Sequence, residues 1–204
     1  MDDGEEREVP VFVVIEGLDG SGKSTLAEEL ARRLGAEHLT TPMATLPPTA
    51  RRAAEAMCAD DPLARMLFYA STVVAASKCV GALLATGRSV VMDRYWLSTV
   101  TYHRILGSPT RLDEVAAALL PADLPVFLDV STEVRRARLH GRGALQAHDR
   151  MTLQPGVGER IGALYREMGA EMKVAGRFEA IEADDLSVAA LVERVAALAR
   201  QRRG

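Results

Sequence analysis

Residues 17–25 read G-L-D-G-S-G-K-S-T and match the pattern G-x-x-x-x-G-K-[ST]. The apolar run 9–16 leads directly into this stretch, and a helix-forming segment follows it. Gly17, Gly20 and Gly22 allow backbone conformations that a side chain would forbid, so successive amide groups can point into one concavity. The positive end of the following helix adds to the attraction for an anion. The pattern therefore predicts a polyphosphate-binding loop.

The side chains of this loop match the contacts that a nucleoside triphosphate requires. Lys23 is expected to reach the β- and γ-phosphates, and Ser24 is expected to ligate Mg²⁺. Ser21 and Thr25 complete the loop and are assigned to the same binding site. A glycine-rich turn without a ligand is the alternative, and the complete motif between a strand and a helix argues against it.

A second cluster of residues that could bind a metal ion or a phosphate follows another apolar segment. The run 89–92 ends at Asp93, which is followed directly by Arg94. A carboxylate at the end of a buried strand is suited to organising Mg²⁺ and its water ligands. A guanidinium beside it can bind a second phosphate through two parallel hydrogen bonds. The alternative is a purely structural Asp–Arg pair.

Strand-like and helix-like segments alternate along the chain of 204 residues. The predicted strands are residues 9–16, 37–41, 89–92, 125–130 and 177–183. Helices are expected from Lys23 to Gly35, from Asp61 to Gly87, and from Ser187 onward. This alternation predicts a parallel sheet with helices on both faces, and ligands at the carboxyl ends of its strands. We expect one α/β domain over residues 9–204 and a disordered acidic tail at residues 1–8.

The charge and the apolar segments of the chain limit the kinds of partner that the protein is expected to bind. The net charge of −3 provides no basic field that would hold a nucleic-acid backbone. The longest apolar run, residues 63–84, contains Arg65 and Lys78, which favours a buried helix over a membrane span. The acidic start of the chain does not resemble a signal peptide. We therefore expect a cytoplasmic protein that contacts neither a membrane nor a nucleic acid.

Taken together, these motifs resemble those of the thymidylate kinase family. The matching pieces are E-G-x-D-G-x-G-K-S-T at 16–25, L-F-x-A at 67–70, D-R-Y-x-x-S-x-x-x-Y at 93–102, L-D-V-x-x-E at 128–133 and D-R at 149–150. The resemblance implies a three-layer P-loop kinase fold with a five-stranded parallel sheet of order 2-3-1-4-5 and a lid near residues 139–154. It also implies a phosphotransferase that uses ATP and Mg²⁺ to convert a nucleoside 5′-monophosphate to the diphosphate, and it suggests a homodimer.

The resemblance assigns roles to individual residues. Asp19 is similar to the loop carboxylate that contacts the acceptor's sugar hydroxyl and the metal site, and Arg94 to the arginine that binds the acceptor phosphate. Phe68 resembles the residue that stacks on the acceptor base, and Tyr102 the residue that crowds the 2′ side of the sugar. Further positions assigned by the resemblance are Tyr95, Thr72 and Thr99 for acceptor binding, Arg138 near the donor adenine, and Arg142 and Arg150 as catalytic arginines of the lid.

Three departures from the family pattern concern the acceptor. The family usually has Arg where this chain has Thr72, and commonly Asn where it has Thr99. The charged turn R-E-P-G-G-T is replaced by residues 40–45, which lack both charges. Since threonine lacks the reach and paired donors of a guanidinium, the base preference is expected to differ. The acceptor is predicted to be dTMP-like, or a modified or other pyrimidine nucleotide.

The sequence is also compatible with two other functions. A related kinase could phosphorylate a hydroxyl group of a nucleoside or another small metabolite, and would then need a general base such as Asp19. A nucleotide-binding protein without catalysis is the second alternative. A GTPase is disfavoured because the chain contains no asparagine, which the guanine-reading motif N-K-x-D requires.

Overall fold

The computed structural model describes residues 9–43, 45–108, 112–171 and 177–201. Its sheet has five parallel strands in the order β2-β3-β1-β4-β5, as predicted. The strands are β1 Phe12–Gly17, β2 Glu37–Thr40, β3 Val90–Asp93, β4 Leu124–Asp129 and β5 Glu179–Glu182. Their bounds differ from the predicted ones at the ends, where side-chain pattern does not fix the last ladder bond. The predicted acidic tail lies outside the described residues.

Helices connect the strands and cover both faces of the sheet. They are α1 Lys23–Leu34, α2 Pro48–Met57, α3 Pro62–Ala85, α4 Trp96–Ile105, α5 Asp113–Ala117, α6 Thr132–Gly141, α7 Ala147–Thr152, α8 Val157–Glu171 and α9 Val188–Arg200. The side chain of Asp61 caps α3 by accepting from the amides of Leu63 and Ala64. Ser187 caps α9 by accepting from the amide of Ala190, so the predicted starts of α3 and α9 are confirmed.

The central strand β1 is buried on both faces, and its alternate residues belong to two different cores. Val13 and Ile15 pack in the core that contains residues of α1 and α9. Phe12 and Val14 pack in the core that contains residues of α3 and α4. Glu16 continues this second series and is therefore buried, although it is charged in water. The fold thus places a carboxyl group inside the protein, directly before the phosphate-binding loop.

The long helix α3 is apolar on nearly all sides. By length and composition it is the one helix in the described parts of the chain that would be able to cross a membrane. Its buried residues are Met66, Ala70, Val73, Ala76, Ser77 and Val80, and they pack in the core beside β3. Leu67 and Val74 on the same helix are 48% and 44% exposed. The prediction of a buried core helix thus holds for one face of α3.

Candidate active site

The phosphate-binding loop has the glycine-dependent backbone that the motif predicts. Gly20 has φ +83°, and a Cβ atom there would lie 2.9 Å from the carbonyl oxygen of Arg135. Gly22 has φ 91° and occupies the cap position directly before α1. Any other residue at position 20 would meet both backbone strain and a collision with α6. The loop is therefore fixed by its own glycines and by its packing against α6.

Lys23 lies within this loop, and its ammonium group is held by two neighbours. Its Nζ donates to the carbonyl oxygen of Leu18 at 3.3 Å and to Oδ1 of Asp19 at 3.2 Å. Burial and the nearby charge of Arg94 lower the pKa of Lys23 to about 8. Ser24 and Thr25, in the first turn of α1, are exposed to solvent. Lys23 is thus positioned to meet a phosphate that approaches the helix terminus.

Arg94 reaches the same cleft from the end of β3. The register pairs Ile15 with Asp93, so β3 ends beside the start of the phosphate loop. Arg94 is the one described non-glycine residue with positive φ, at 69°. Its amide donates to the carbonyl oxygen of Ile15 at 3.0 Å, and its own carbonyl oxygen accepts from the Thr41 hydroxyl at 2.9 Å. Such a conformation persists only where the surroundings enforce it, which is common at functional sites.

The guanidinium of Arg94 points into the cleft. It forms an ion pair with Asp19 and donates to the carbonyl oxygen of Gly17 at 3.4 Å. It also donates to the Ser98 hydroxyl at 3.3 Å and lies 5.6 Å from the ring centre of Tyr102. Lys23 and Arg94 therefore share one carboxylate oxygen. Two cations, one from the start of α1 and one from the end of β3, therefore converge on one carboxylate oxygen.

Sequence reasoning missed Glu16, the buried carboxyl group at the end of β1. Its Oε1 accepts from the amides of Tyr95 at 3.1 Å and Ser98 at 3.3 Å, and its other oxygen accepts from the Ser98 hydroxyl. Burial raises the pKa of Glu16 to about 7. The carboxyl group caps the start of α4 and so fixes the turn that carries Arg94. A glutamate that ends an otherwise apolar strand was the available signal.

Asp19 lies at the centre of the cleft and is contacted from three separate elements. Lys23 and Arg94 bind its Oδ1, and Nε2 of His148 lies 2.8 Å from its Oδ2. Burial alone would raise the pKa of Asp19, but the His148 hydrogen bond and the charge of Arg94 outweigh it and hold that pKa well below its usual range. His148 belongs to α7, inside the predicted lid, and nothing in the sequence pattern indicated it.

The residues assigned to the acceptor base lie on α3 and α4. Phe68 is half-buried and packs edge-on against Tyr69, with ring centres 5.2 Å apart. The Thr72 hydroxyl donates to the Tyr69 carbonyl oxygen of its own helix at 2.7 Å. Thr99 and Tyr102 are buried on α4. Because the proton of Thr72 is already used inside α3, this position has no guanidinium-like donor for a base edge.

Tyr95 does not lie where the sequence analysis expected it. Its ring packs edge-on against Phe12 at 5.3 Å, and its hydroxyl donates to the Leu120 carbonyl oxygen at 3.1 Å. The turn that directs Arg94 into the cleft sends the next side chain into the core. The expected acceptor contact of Tyr95 is therefore corrected to a packing role.

The arginines of α6 and α7 differ in position. Arg138 donates to the Ser21 carbonyl oxygen at 3.0 Å and so lies against the phosphate loop. Arg142 is exposed at the end of α6, and Arg150 donates to the Leu145 carbonyl oxygen at 2.7 Å. Among the described residues, neither Arg142 nor Arg150 has a hydrogen bond or an ion pair with the phosphate loop. The structure brings Arg138 to the loop and leaves both predicted catalytic arginines at the lid surface.

Arg135, to which the sequence pattern assigned no role, is fully buried. It donates to the carbonyl oxygens of Asp19 at 3.4 Å and Thr152 at 3.2 Å. This guanidinium therefore connects the phosphate loop to the end of α7. Its four-residue spacing from Leu139, also buried, was a weak signal for an inward-facing side of α6.

Comparison with known proteins gives the family. A family model described as thymidylate kinase matches residues 15–175. The chain belongs to the thymidylate kinase family. It is 32% identical over 160 residues to the thymidylate kinase of Photobacterium profundum, covering 70% of this chain and 76% of that protein. It is 30% identical over 202 residues to a probable thymidylate kinase of Thermococcus gammatolerans, covering 90% and 96%.

The fold agrees with this assignment. A solved structure of thymidylate kinase from Candida albicans superposes with a TM-score of 0.73 at 16% identity, covering 96% of this chain and 94% of that chain. Membership of the thymidylate kinase family makes this chain a phosphotransferase. It transfers a phosphoryl group from ATP to a nucleoside monophosphate and forms the diphosphate.

In this member of the thymidylate kinase family, β3 ends in a carboxylate whose chemistry would suit a metal ion. Asp93 is buried, and its Oδ1 has no hydrogen-bond partner among the described residues. The described parts of the chain contain no group of three or more His, Cys, Asp or Glu side chains suited to a metal. Mg²⁺ commonly binds through one or two carboxylates together with substrate phosphates. A single unpaired carboxylate oxygen beside a phosphate loop fits that mode.

Proposed function

We propose that this enzyme transfers the γ-phosphoryl group of Mg-ATP to the 5′-phosphate of a pyrimidine deoxynucleotide related to dTMP. The observation that carries the proposal is the convergence of Lys23 and Arg94 on Asp19. One cation belongs to the phosphate loop, and the other follows the end of β3. This arrangement suits the binding of two phosphorylated molecules whose phosphate groups lie next to each other.

The reaction needs alignment and charge neutralisation more than proton transfer. The acceptor phosphate oxygen is already ionised near neutral pH, so it attacks without a general base. Lys23 binds the migrating phosphoryl group, and Arg94 holds the acceptor phosphate in line with it. Asp19 accepts a hydrogen bond from the acceptor's sugar hydroxyl. This need for two cations favours a monophosphate acceptor over a hydroxyl acceptor.

The metal site is part of the proposal. Asp93, with its unpaired buried oxygen, and Ser24, exposed in the first turn of α1, would hold Mg²⁺ directly or through water. When bound, Mg²⁺ neutralises charge on the donor phosphates. Arg138 lies beside the loop on the donor side, and Arg142 and Arg150 stay predicted catalytic residues that require a movement of the lid to reach the phosphates.

The side chains on α3 and α4 support a proposal for the kind of base that the acceptor carries. Phe68 offers a half-buried ring for stacking, and Tyr102 is buried beside Arg94 on the sugar side. Thr72 and Thr99 are short, and the hydroxyl of Thr72 is engaged within its helix. We therefore assign a pyrimidine base whose edge is read without an arginine, so that base-modified pyrimidines are accepted beside dTMP.

A panel of acceptors tests the proposal. Purified enzyme with Mg-ATP is assayed for ADP release with dTMP, dUMP, dCMP, 5-substituted pyrimidine nucleotides, dGMP and thymidine. We expect acceptor-dependent release with one or more pyrimidine monophosphates and none with thymidine. Release with thymidine but not with any monophosphate would establish the hydroxyl-phosphorylating alternative. Slow hydrolysis that no acceptor accelerates would establish a nucleotide-binding protein without kinase activity.

We also propose that two copies associate through α3. Leu63, Leu67 and Val74 are exposed large apolar residues on this helix, which the core covers on its other face. Sedimentation analysis should show a dimer that Leu67→Glu dissociates, while Val188→Glu, at an exposed apolar residue of α9, leaves it intact. A wild-type monomer at micromolar concentration would contradict the proposal.

A further inference from the structure

His148 connects the lid to the centre of the phosphoryl-transfer site. We propose that it is a positioning residue: its imidazole holds the Asp19 carboxylate from the lid side and couples lid closure to acceptor binding. The inference rests on the proposed function for the identity of the reaction. Its structural basis is the 2.8 Å contact between Nε2 of His148 and Oδ2 of Asp19.

The two oxygens of Asp19 have different partners. Oδ1 is bound by Lys23 and Arg94, the two cations that the phosphates of the substrates need. Incoming phosphates therefore compete with Oδ1 for both partners. Oδ2 is bound by His148, which has no other anionic partner among the described residues. When the substrate phosphates bind Lys23 and Arg94, the hydrogen bond from His148 can still hold the Asp19 carboxylate in place.

The helix that carries His148, α7, is linked to the phosphate loop in this structure. The start of α7 has a reciprocal cap, in which the Gln146 amide donates to Oδ2 of Asp149 at 2.9 Å and the Gln146 side chain binds the Asp149 backbone. At the other end of α7, buried Arg135 binds the carbonyl oxygens of Thr152 and of Asp19 itself. The capping box sets where α7 begins, and Arg135 joins the end of α7 to the backbone of Asp19, which places His148 beside Asp19.

The imidazole also forms one wall of the acceptor site. Its ring centre lies 4.8 Å from that of Tyr102 at an angle of 37°. Arg94 lies over the same tyrosine ring at 5.6 Å. His148, Tyr102, Arg94 and Asp19 thus form one cluster of contacting side chains beside the proposed position of the acceptor phosphate, where the sugar of a nucleotide would lie.

Loss of the imidazole has a defined consequence. Without His148, the Asp19 carboxylate turns toward Arg94 and competes with the acceptor phosphate for that guanidinium. The lid also loses its side-chain bond to the loop, so water enters more easily and ATP is hydrolysed without transfer. A residue that only filled space would cause neither effect selectively.

The test compares His148→Leu, which removes the donor, with His148→Gln, which keeps an N–H group at similar reach. His140→Leu is the matched control, because His140 is an exposed histidine at the end of α6. We expect His148→Leu to raise the acceptor KM about tenfold or more, with the ATP KM within about twofold of wild type. Acceptor-independent ADP release should increase relative to transfer. His148→Gln should restore the acceptor KM to within about threefold of wild type.

Two results would overturn the role of His148. One is an acceptor KM and an uncoupled hydrolysis rate in His148→Leu equal to those of His140→Leu. The other is equal damage by His148→Leu and His148→Gln, which would show that ring volume and not the hydrogen bond matters. Melting curves check that all variants are folded, as expected for a side chain that is 41% exposed. Absence of acceptor-dependent ADP release in the wild type would instead overturn the proposed function, so the two failures are distinguishable.

Discussion

The donor and acceptor halves of the cleft are built in different ways. The donor half is a continuous stretch, residues 17–25, whose shape depends on glycine backbone conformations and on packing and hydrogen bonds with α6. The acceptor half takes its side chains from the β3–α4 turn, α3, α4 and α7, which are far apart in the chain. A contiguous loop can change little without losing its anion site. Side chains from independent elements can be exchanged one at a time, so the acceptor half is where specificity changes most easily.

The largest expected effect comes from the donor half. Lys23→Ala removes the ammonium group that binds the migrating phosphoryl, and we expect kcat to fall about 10³-fold. The fold should persist, because Asp19 keeps Arg94 and His148 as partners. Steady-state ADP release and a melting curve measure the two properties. Turnover near the wild-type value would show that the loop lysine is not part of the reaction.

Arg94→Ala tests the division between the two halves. We expect kcat/KM for the acceptor to fall about 10²-fold, with the KM for ATP within about threefold of wild type. Alanine has a Cβ atom as arginine does, so the strained backbone at φ 69° is equally unfavourable in both. Arg104→Ala, at an exposed arginine of α4, is the control. If ATP binding collapsed while acceptor binding did not, Arg94 would belong to the donor half.

A gain-of-function change sharpens the comparison. Thr72→Arg places paired donors on α3 where the hydroxyl is now used internally. We expect the preference for dTMP over dCMP to increase about tenfold as a ratio of kcat/KM values, because a guanidinium donates to O4 of thymine, where cytosine has an amino group that cannot accept. Ser71→Arg on the exposed neighbouring position should leave that ratio unchanged. An equal change in both variants would mean that position 72 does not face the base.

The smallest expected effect on the catalytic rate comes from Glu16, whose carboxyl group binds the start of α4 and so holds the turn that carries Arg94. Burial raises the pKa of Glu16 from 4.5 to about 7, so the folded protein binds more protons than the unfolded chain between these values. Its contribution to stability is complete below about pH 4.5 and is lost as the pH rises through about 7. In wild type the free energy of unfolding should therefore decrease by roughly 3 kcal/mol over this pH range. The Glu16→Gln variant should not show this decrease.

Denaturant unfolding of wild type and Glu16→Gln from pH 4.5 to 8 measures this difference. Comparing the two proteins removes contributions that they share, such as that of His103, whose pKa burial lowers to about 4. Glu114→Gln, at an exposed glutamate, is the control. Catalytic rates of Glu16→Gln should stay within about threefold of wild type, because glutamine still accepts from both amides. Parallel pH profiles for the two proteins would contradict the assignment.

Local sequence determined the parts of this protein whose geometry depends on short-range rules. The phosphate loop, the alternation of strands and helices, and the capped starts of α3 and α9 follow from glycine conformations, apolar runs and capping side chains. The order of the five strands followed from the resemblance to a family. The approximate position of Arg94 was predictable only with that strand order, because Arg94 directly follows β3 and the order places β3 beside β1.

Only the tertiary structure decided which side chains meet. Asp19 and Arg94 are 75 positions apart, and their contact depends on the pairing of β1 with β3. The contact of His148 with Asp19 depends on how α7 packs against the loop through buried Arg135. The same turn that directs Arg94 into the cleft sends Tyr95 into the core. Sequence patterns encode what each element is, whereas the convergence of distant side chains arises only when the packed layers fix their relative positions.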